Sequence, residues 1–319
     1  MKALRFAAGV ALAGLLAAPA LAQTKSVAIT QIVEHPALDA ARKGVQDELA
    51  AAGFTEGQNL KWSFESAQGN PATAAQIAKK FVGDRPDVIV AIATPSAQAV
   101  AANTKDIPLV FSAVTDPVGA KLVASLDKPG GNVTGTSDLL PMDQHVGLIR
   151  QLLPNAKRVG ILFNPGEANS VTSVKQFTDA AKAQGITVVE GAASKSGDVL
   201  AAARSLVGKV DAIYVPTDNT VVSAFEAVVK VGTDAKLPVV AGDTDSVKRG
   251  AVAALGFDYY DVGRQTGKMV AAILKGGKPA DIPVETVKKA DLYLNAKTAP
   301  AMGVTLPDAL LQQAKEVVK

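Results

Sequence analysis

The sequence predicts an α/β protein made of two similar doubly wound parallel-sheet domains joined by a multi-crossover hinge. Three observations predict it. Short apolar runs of strand length alternate with helix-patterned segments, the order of parallel βαβ units. The phrase DVIVAIAT, beginning at Asp87, returns as DAIYVPT beginning at Asp211. Hydrophobic residues make up 48% of the chain but aromatic residues only 4%, so the core must be built of Ala, Val, Leu and Ile. The length of 319 residues suits two domains at ~150 residues each.

In order, KSVAITQIV reads as a strand. ALDAARKGVQDELAAAGF follows with helical spacing at Leu38, Ala41, Val45 and Leu49, and stops at Gly53. NLKWSFESA alternates as a second strand, and PATAAQIAKKFVGDRP is a helix with Pro71 near its start. DVIVAIA, SAQAVAANT and IPLVFSAV give strand, helix and strand. PGGNVTG contains a sequon at Asn132, read as a turn without sugar.

From Lys157 the order repeats. KRVGILF, ITVVEGAA, DAIYVPT and LPVVAGD are the strands, and SVTSVKQFTDAAKAQG, DVLAAARSLVG and VVSAFEAVVKVG the helices. AAGF matches AQGI, and IPLVFSAVTDPV matches LPVVAGDTDSV, in the same succession. GFDYYDVGRQTGKMVAAILKGG then reads as one more helix, ADLYLN as a strand and DALLQQAKEVVK as a last helix. These surplus elements imply that the chain crosses back between domains more than once. The expected division is 23–138 plus 253–282 for the N-terminal lobe and 139–252 plus 283–319 for the C-terminal lobe.

The opening MKALRFAAGVALAGLLAAPALAQ has the layout of a secretory signal peptide over residues 1–22. Lys2 and Arg5 lead, an apolar stretch runs from Phe6 to Leu16, and ALA at Ala20–Ala22 offers the cleavage site. That apolar run is too short to span ~30 Å of hydrocarbon. The chain has no Cys, which excludes disulfides, thiol chemistry and a lipid anchor on an N-terminal Cys. Basic residues number 33 and acidic 30, and the leader takes two of the basic ones. That balance, without basic clusters, argues against a nucleic-acid partner. The expectation is an exported periplasmic monomer with no stable membrane anchor.

In open parallel sheets, ligands bind beyond the C-terminal strand ends. This rule singles out QIVEHPALD, ATPSAQ and SAVTDPV in the first half, and NPGEANS, PTDNTV and GDTDS in the second. Facing one another, the six loops would line one cleft. TPSAQ offers hydroxyls and free N–H groups at a helix start, an anion site. TDNT and GDTD offer Asp218, Asn219, Asp243 and Asp245. One wall would suit a carboxylate and the other an ammonium, as an amino acid requires, although Asp, Asn, Ser and Thr also serve as ordinary helix caps.

His35, beside Glu34, could reach the ligand but is read as a solvent-facing loop residue. His145 is read as structural or solvated, Trp62 as packing, and Phe111, Phe163, Tyr214 and Phe257 mostly as core. Two His and no Cys argue against a metal site. No cofactor is expected, and no GxSxG, GxxxxGK[ST] or GxGxxG signature is present, so no enzyme is expected.

TPSAQAVA, IPLVFSAVTDPVGAKLVASLDKPGGNVTGTSDL, NPGEANS, DAIYVPTDN and GRQTGKMVAAILKGGKP together resemble the ABC transporter substrate-binding protein family, of the TrpX-like kind. The TDPVGAKLV…KPGGNVTG segment carries the resemblance most specifically. It implies a type I periplasmic binding protein fold and delivery of a small ligand to an ABC permease, with aromatic amino acids among the ligands of some members. Carried over, the ligand-binding set is Thr94, Ser96, Gln98, Thr115 and Asp116 on the first lobe, to which the strand-end loop after the first strand adds Glu34. On the second it is Asn164, Glu167, Asn169, Ser170, Asp218, Asn219 and Asp243. Ser96 with nearby N–H groups would hold the carboxylate, and Asp218, helped by Asn219 or Asp243, the ammonium. Many members are lipoproteins, and the absence of Cys departs from that pattern. Two alternatives stand beside this one: a sensor subunit presenting its ligand to a receptor kinase, and an enzyme using paired carboxylates.

Overall fold

The computed structural model describes residues 24–287 and 289–319, so the leader expected at 1–22 lies outside the described residues. The chain begins with β1 (Lys25–Gln31), α1 (Pro36–Ala51), β2 (Leu60–Ser66) and α2 (Pro71–Asp84). It continues with β3 (Val88–Ile92), α3 (Thr94–Ala101), β4 (Leu109–Val114) and β5 (Val133–Ser137). The second unit runs α4 (Met142–Leu152), β6 (Arg158–Phe163), α5 (Ala168–Ala183), β7 (Thr187–Ala192), α6 (Val199–Leu206) and β8 (Ala212–Val215). After these come α7 (Asn219–Ser223), α8 (Phe225–Ala235), β9 (Val239–Ala241), α9 (Asp245–Lys248) and β10 (Ala253–Gly256). Then α10 (Tyr259–Leu274) and β11 (Glu285–Thr286) return to the first unit. The chain ends in the second with β12 (Asp291–Asn295), α11 (Thr298–Ala301), α12 (Asp308–Gln313) and β13 (Glu316–Val318).

Two sheets result, a six-stranded one in the order β11-β5-β4-β3-β1-β2 and a seven-stranded one in the order β13-β12-β10-β9-β8-β6-β7. All pairs are parallel except β10 with β12. In the first lobe α1 packs on α10 and α2 on α3; in the second α4 packs on α5 and α6 on α8. Each lobe keeps its own buried apolar cluster, and Phe111, Phe163, Tyr214 and Phe257 belong to these cores. Trp62 is partly buried against the first. His145 is fully buried on α4, its Nδ1 3.0 Å from the Tyr214 hydroxyl.

The repeated acid before a strand has one physical cause in both lobes. Asp87, just ahead of β3, accepts from the Ser26 N–H at 2.7 Å and its hydroxyl at 2.8 Å, at the start of the neighbouring β1. Asp211, just ahead of β8, accepts from the Lys157 and Arg158 N–H groups, both at 2.8 Å, at the start of β6. Each carboxylate ties the entry of one central strand to the next, fixing their register.

Four short strands depart from the sequence expectation. NVTG was expected as a turn, but Val133–Ser137 form β5, every residue buried. Gly135 is needed there: at φ 155°, a Cβ would sit 2.1 Å from the Phe111 carbonyl oxygen. Gly256, expected in a helix, ends β10, and the helix starts at Tyr259 behind the Asp258 cap. β11 is a two-residue edge pairing with β5. The last expected helix stops at Gln313, because Ala314 turns extended and Glu316–Val318 pair with β12. The sheets also place the crossings differently from the expected 253 and 282. Ala253–Gly256 pair within the second sheet and Glu285–Thr286 within the first, so the chain passes between sheets after β5, after β10 and after β11.

Candidate functional site

Parallel strands deliver their C-terminal ends to one edge of each sheet, and here the two edges face each other. His35 follows β1, Thr94 follows β3, Thr115 follows β4 and Asp138 follows β5. Across from them Asn169 follows β6, Asp218 follows β8 and Asp243 follows β9, while Tyr259, after β10, opens α10 on the first lobe's side. These side chains line one enclosure of about 330 Å³ between the lobes. A wider mouth of about 1040 Å³ adjoins it, lined by Pro95, Gln98, Asn164, Glu167 and Asn219.

The enclosure is acidic. Asp138, Asp218 and Asp243 line it and none of its lining residues is Lys or Arg. Burial pushes the pKa of Asp138 and of Asp243 up, against hydrogen bonds donated to each. Asp138 accepts from the Tyr259 hydroxyl at 2.7 Å and the Thr115 hydroxyl at 3.1 Å. Asp243 accepts from Ser246, N–H at 2.9 Å and hydroxyl at 2.7 Å. Asp218 caps α7 through the Val221 N–H at 2.7 Å, and its other oxygen accepts from the Asn164 N–H and the Ser170 hydroxyl, both at 2.6 Å. Burial first and the Glu167 carboxylate second push its pKa up to about 7.

Glu167 lies at the mouth and supports α7 from outside. It accepts the Asn219 amide at 2.5 Å, the Thr220 hydroxyl at 2.7 Å and both residues' N–H groups. Asn219 therefore spends its donor on Glu167.

Asn169 is also held by its amide nitrogen. Its amide nitrogen faces the Thr217 carbonyl at 3.0 Å and a Glu167 oxygen at 3.3 Å, which fixes its oxygen as the free end. That buried Oδ1 has no partner among the described residues. On the facing wall the Thr94 hydroxyl is likewise buried and unpartnered. Thr94 opens α3, whose first N–H groups have no intrahelical acceptor.

Strained backbone surrounds this wall. Ala93 has φ 73° and Ala113 φ 55°, both non-glycine residues in the left-handed region. Ala113 sits at the register shift in the β4–β5 ladder and lines the enclosure, so the irregularity sets how β4 meets the site.

Of the residues singled out from sequence, Thr94, Thr115, Asn169, Asp218, Asn219 and Asp243 line the enclosure, and Gln98, Asn164 and Glu167 line the mouth. Ser96 is fully buried with an unpartnered hydroxyl but lines neither space; Thr94 stands in its place. Ser170 acts from behind, through Asp218. Asp116 closes its own turn by accepting the Gly119 N–H at 2.8 Å, and Glu34 is exposed. Asp138, Thr217 and Tyr259 were not anticipated, and His35, expected to face solvent, is 9% exposed and lines the enclosure. Only Thr217 lay inside a quoted loop; the strand-end position of Asp138 was hidden because β5 lacks an apolar run.

Comparison with known proteins adds four likenesses. A family model described as ABC transporter substrate binding protein matches residues 26–318. The Tyrosine-binding protein of Clostridioides difficile is 45% identical over 87% of this chain and 81% of that protein. The structure of an ABC domain from Streptococcus pneumonia in complex with L-Trp is 40% identical, covers 93% of this chain and all of its own, and superposes with a TM-score of 0.90. A ligand-free, open substrate-binding protein from Clostridium difficile is 42% identical over 92% of this chain and 99% of its own, with a TM-score of 0.69. The chain thus superposes more closely on the L-Trp complex than on the open, ligand-free protein. No helix among the described residues is long and apolar enough to cross a membrane.

Proposed function

The chain belongs to the ABC transporter substrate-binding protein family, and from that premise we propose that it captures an aromatic L-amino acid between its lobes. It works as a periplasmic monomer, makes and breaks no bond, and hands the ligand to the membrane permease of an importer. The observation that carries the reading is the polarity of the enclosure. Three carboxylates and no cationic side chain line it, with the unpartnered oxygen of Asn169 on one wall and the unpartnered hydroxyl of Thr94 on the other.

In this reading Asp218 and Asn169 take the ligand ammonium. Both offer lone pairs, and the donors around each are already fixed, so neither needs to reorganise. Thr94 and the first N–H groups of α3 take the carboxylate with neutral donors aided by the helix dipole. The buried carboxylates, with raised pKa values, need not all be charged at once, so one ammonium suffices. The names of the tyrosine-binding and L-Trp-bound relatives favour a single aromatic amino acid.

Isothermal titration with L-tyrosine and L-tryptophan tests this, beside tyramine, which lacks the carboxylate, and 3-(4-hydroxyphenyl)propionate, which lacks the ammonium. The amino acids bind. Each analogue loses ~2–5 kcal/mol, about thirtyfold or more, for the charge it lacks. Equal affinity for the deaminated analogue would remove the ammonium site from the proposal.

A further inference from the structure

Amino-acid capture uses Asp218, Asn169 and Thr94 and leaves two unpartnered polar side chains of the enclosure, Thr217 and His35, without a task. His35 is 9% exposed, and its Nδ1 is sealed from solvent with no partner among the described residues. A buried polar group without a hydrogen bond is costly, and a leucine could fill the position without that cost. Burial first, and the positive charge of Arg249 second, hold its pKa at about 3, so the ring is neutral, with one donor and one acceptor nitrogen.

His35 is joined in the lining by apolar groups. It precedes α1, whose first turn brings Ala37 and Leu38 to the enclosure, and α7 adds Val222 from the other lobe. These apolar groups suit a ring. His35 adds an unpartnered polar atom close to Ala37 and Leu38 in the chain.

We infer that His35 is a specificity-determining residue. It hydrogen-bonds a polar atom on the ligand's ring, a phenol O–H or an indole N–H, and so selects donor-bearing aromatic amino acids over phenylalanine. The inference rests on the reading of the enclosure as an amino-acid site. A site built to satisfy a ligand hydrogen bond rejects the analogue lacking it more strongly than an apolar pocket rejects a size change.

The test titrates L-tyrosine, L-tryptophan and L-phenylalanine against the full chain, His35→Phe and His35→Gln. The unaltered protein binds tyrosine or tryptophan at least ~10-fold more tightly than phenylalanine. In His35→Phe that preference collapses through weaker binding of the donor-bearing ligand, while phenylalanine affinity stays within about twofold, which also shows that the variant is folded. His35→Gln, whose amide can accept a hydrogen bond, restores part of the preference. Equal loss for all three ligands would mean that His35 touches the shared α-carboxylate or merely supports its loop, and would overturn the inference. Equal binding of phenylalanine and tyrosine by the unaltered protein would also overturn it, leaving the amino-acid site intact. Binding of none of the three would overturn both readings.

Discussion

Asp218 shows how one residue can be both scaffold and ligand contact. The three hydrogen bonds it accepts join the β6–α5 loop, α5 and α7, yet it still lines the enclosure. Its pKa, pushed up to about 7 by burial and by Glu167, gives ligand binding a pH dependence whose sign is fixed. An ammonium needs the carboxylate ionised, so below about pH 7 binding must first expel a proton. Affinity therefore falls as the pH drops, approaching tenfold per pH unit. Titrations between pH 8 and 5.5, in buffers of different ionisation enthalpy, should show weakening and proton release, and Asp218→Asn should bind weakly with a flatter profile. A flat profile in the unaltered protein would sink the assignment. Sequence reasoning reached Asp218 because strand-end loops are identifiable from the βα alternation alone. It could not show that the Asn169 oxygen ends up buried without a partner, since Asn169 and Asn219 are both small polar residues at helix starts. Burial of one atom depends on the facing lobe, which no local pattern records.

At the scale of elements, the pairing of α1 with α10 anchors Tyr259 at the site. The two helices approach through glycines. A Cβ on Gly263 would lie 1.9 Å from the Ala41 carbonyl oxygen, and one on Gly44 would lie 2.2 Å from that of Tyr260. Both contacts are backbone, which cannot swing aside, so Gly263→Ala should destabilise the protein by ~1–3 kcal/mol in urea unfolding. Gly83, inside α2 with nothing near its missing Cβ, is the matched control. Gly83→Ala should be neutral or stabilising by up to ~1 kcal/mol. Equal losses in the two variants would show that helix propensity, not close approach, governs the first. Long periodic elements such as α1, α2 and α5 were legible because their apolar spacing is local. β5, β10, β11 and β13 were not, because two to five residues carry too little pattern and their strand character comes from the neighbours they pair with. Crossing back between sheets could be inferred from surplus elements, but the crossing points follow those short strands.

For the whole molecule, the decisive feature is what lies between the lobes. The hydrogen bonds and ion pairs among the described residues stay within one lobe or within the crossover segments, as with Tyr259 and Asp138. The interface instead gathers Asp138, Asp218 and Asp243 around one enclosure. Polar bonding across the cleft must therefore come from the ligand. Moving an equilibrium from 1:99 open-favouring to 99:1 closed needs ~5.5 kcal/mol of differential affinity. Charge-assisted contacts of ~2–5 kcal/mol on each wall can supply that, but only if both walls are engaged by one molecule. Small-angle X-ray scattering separates these cases. The ligand-free protein should have the larger radius of gyration, and saturating L-tyrosine should contract it. Tyramine, engaging the Asp218 and Asn169 wall alone, should bind weakly and leave the radius at its ligand-free value. If tyramine at saturation contracts the protein as fully as tyrosine does, one wall suffices for closure. The two-walled clamp would then be the wrong account of how these lobes hold a solute.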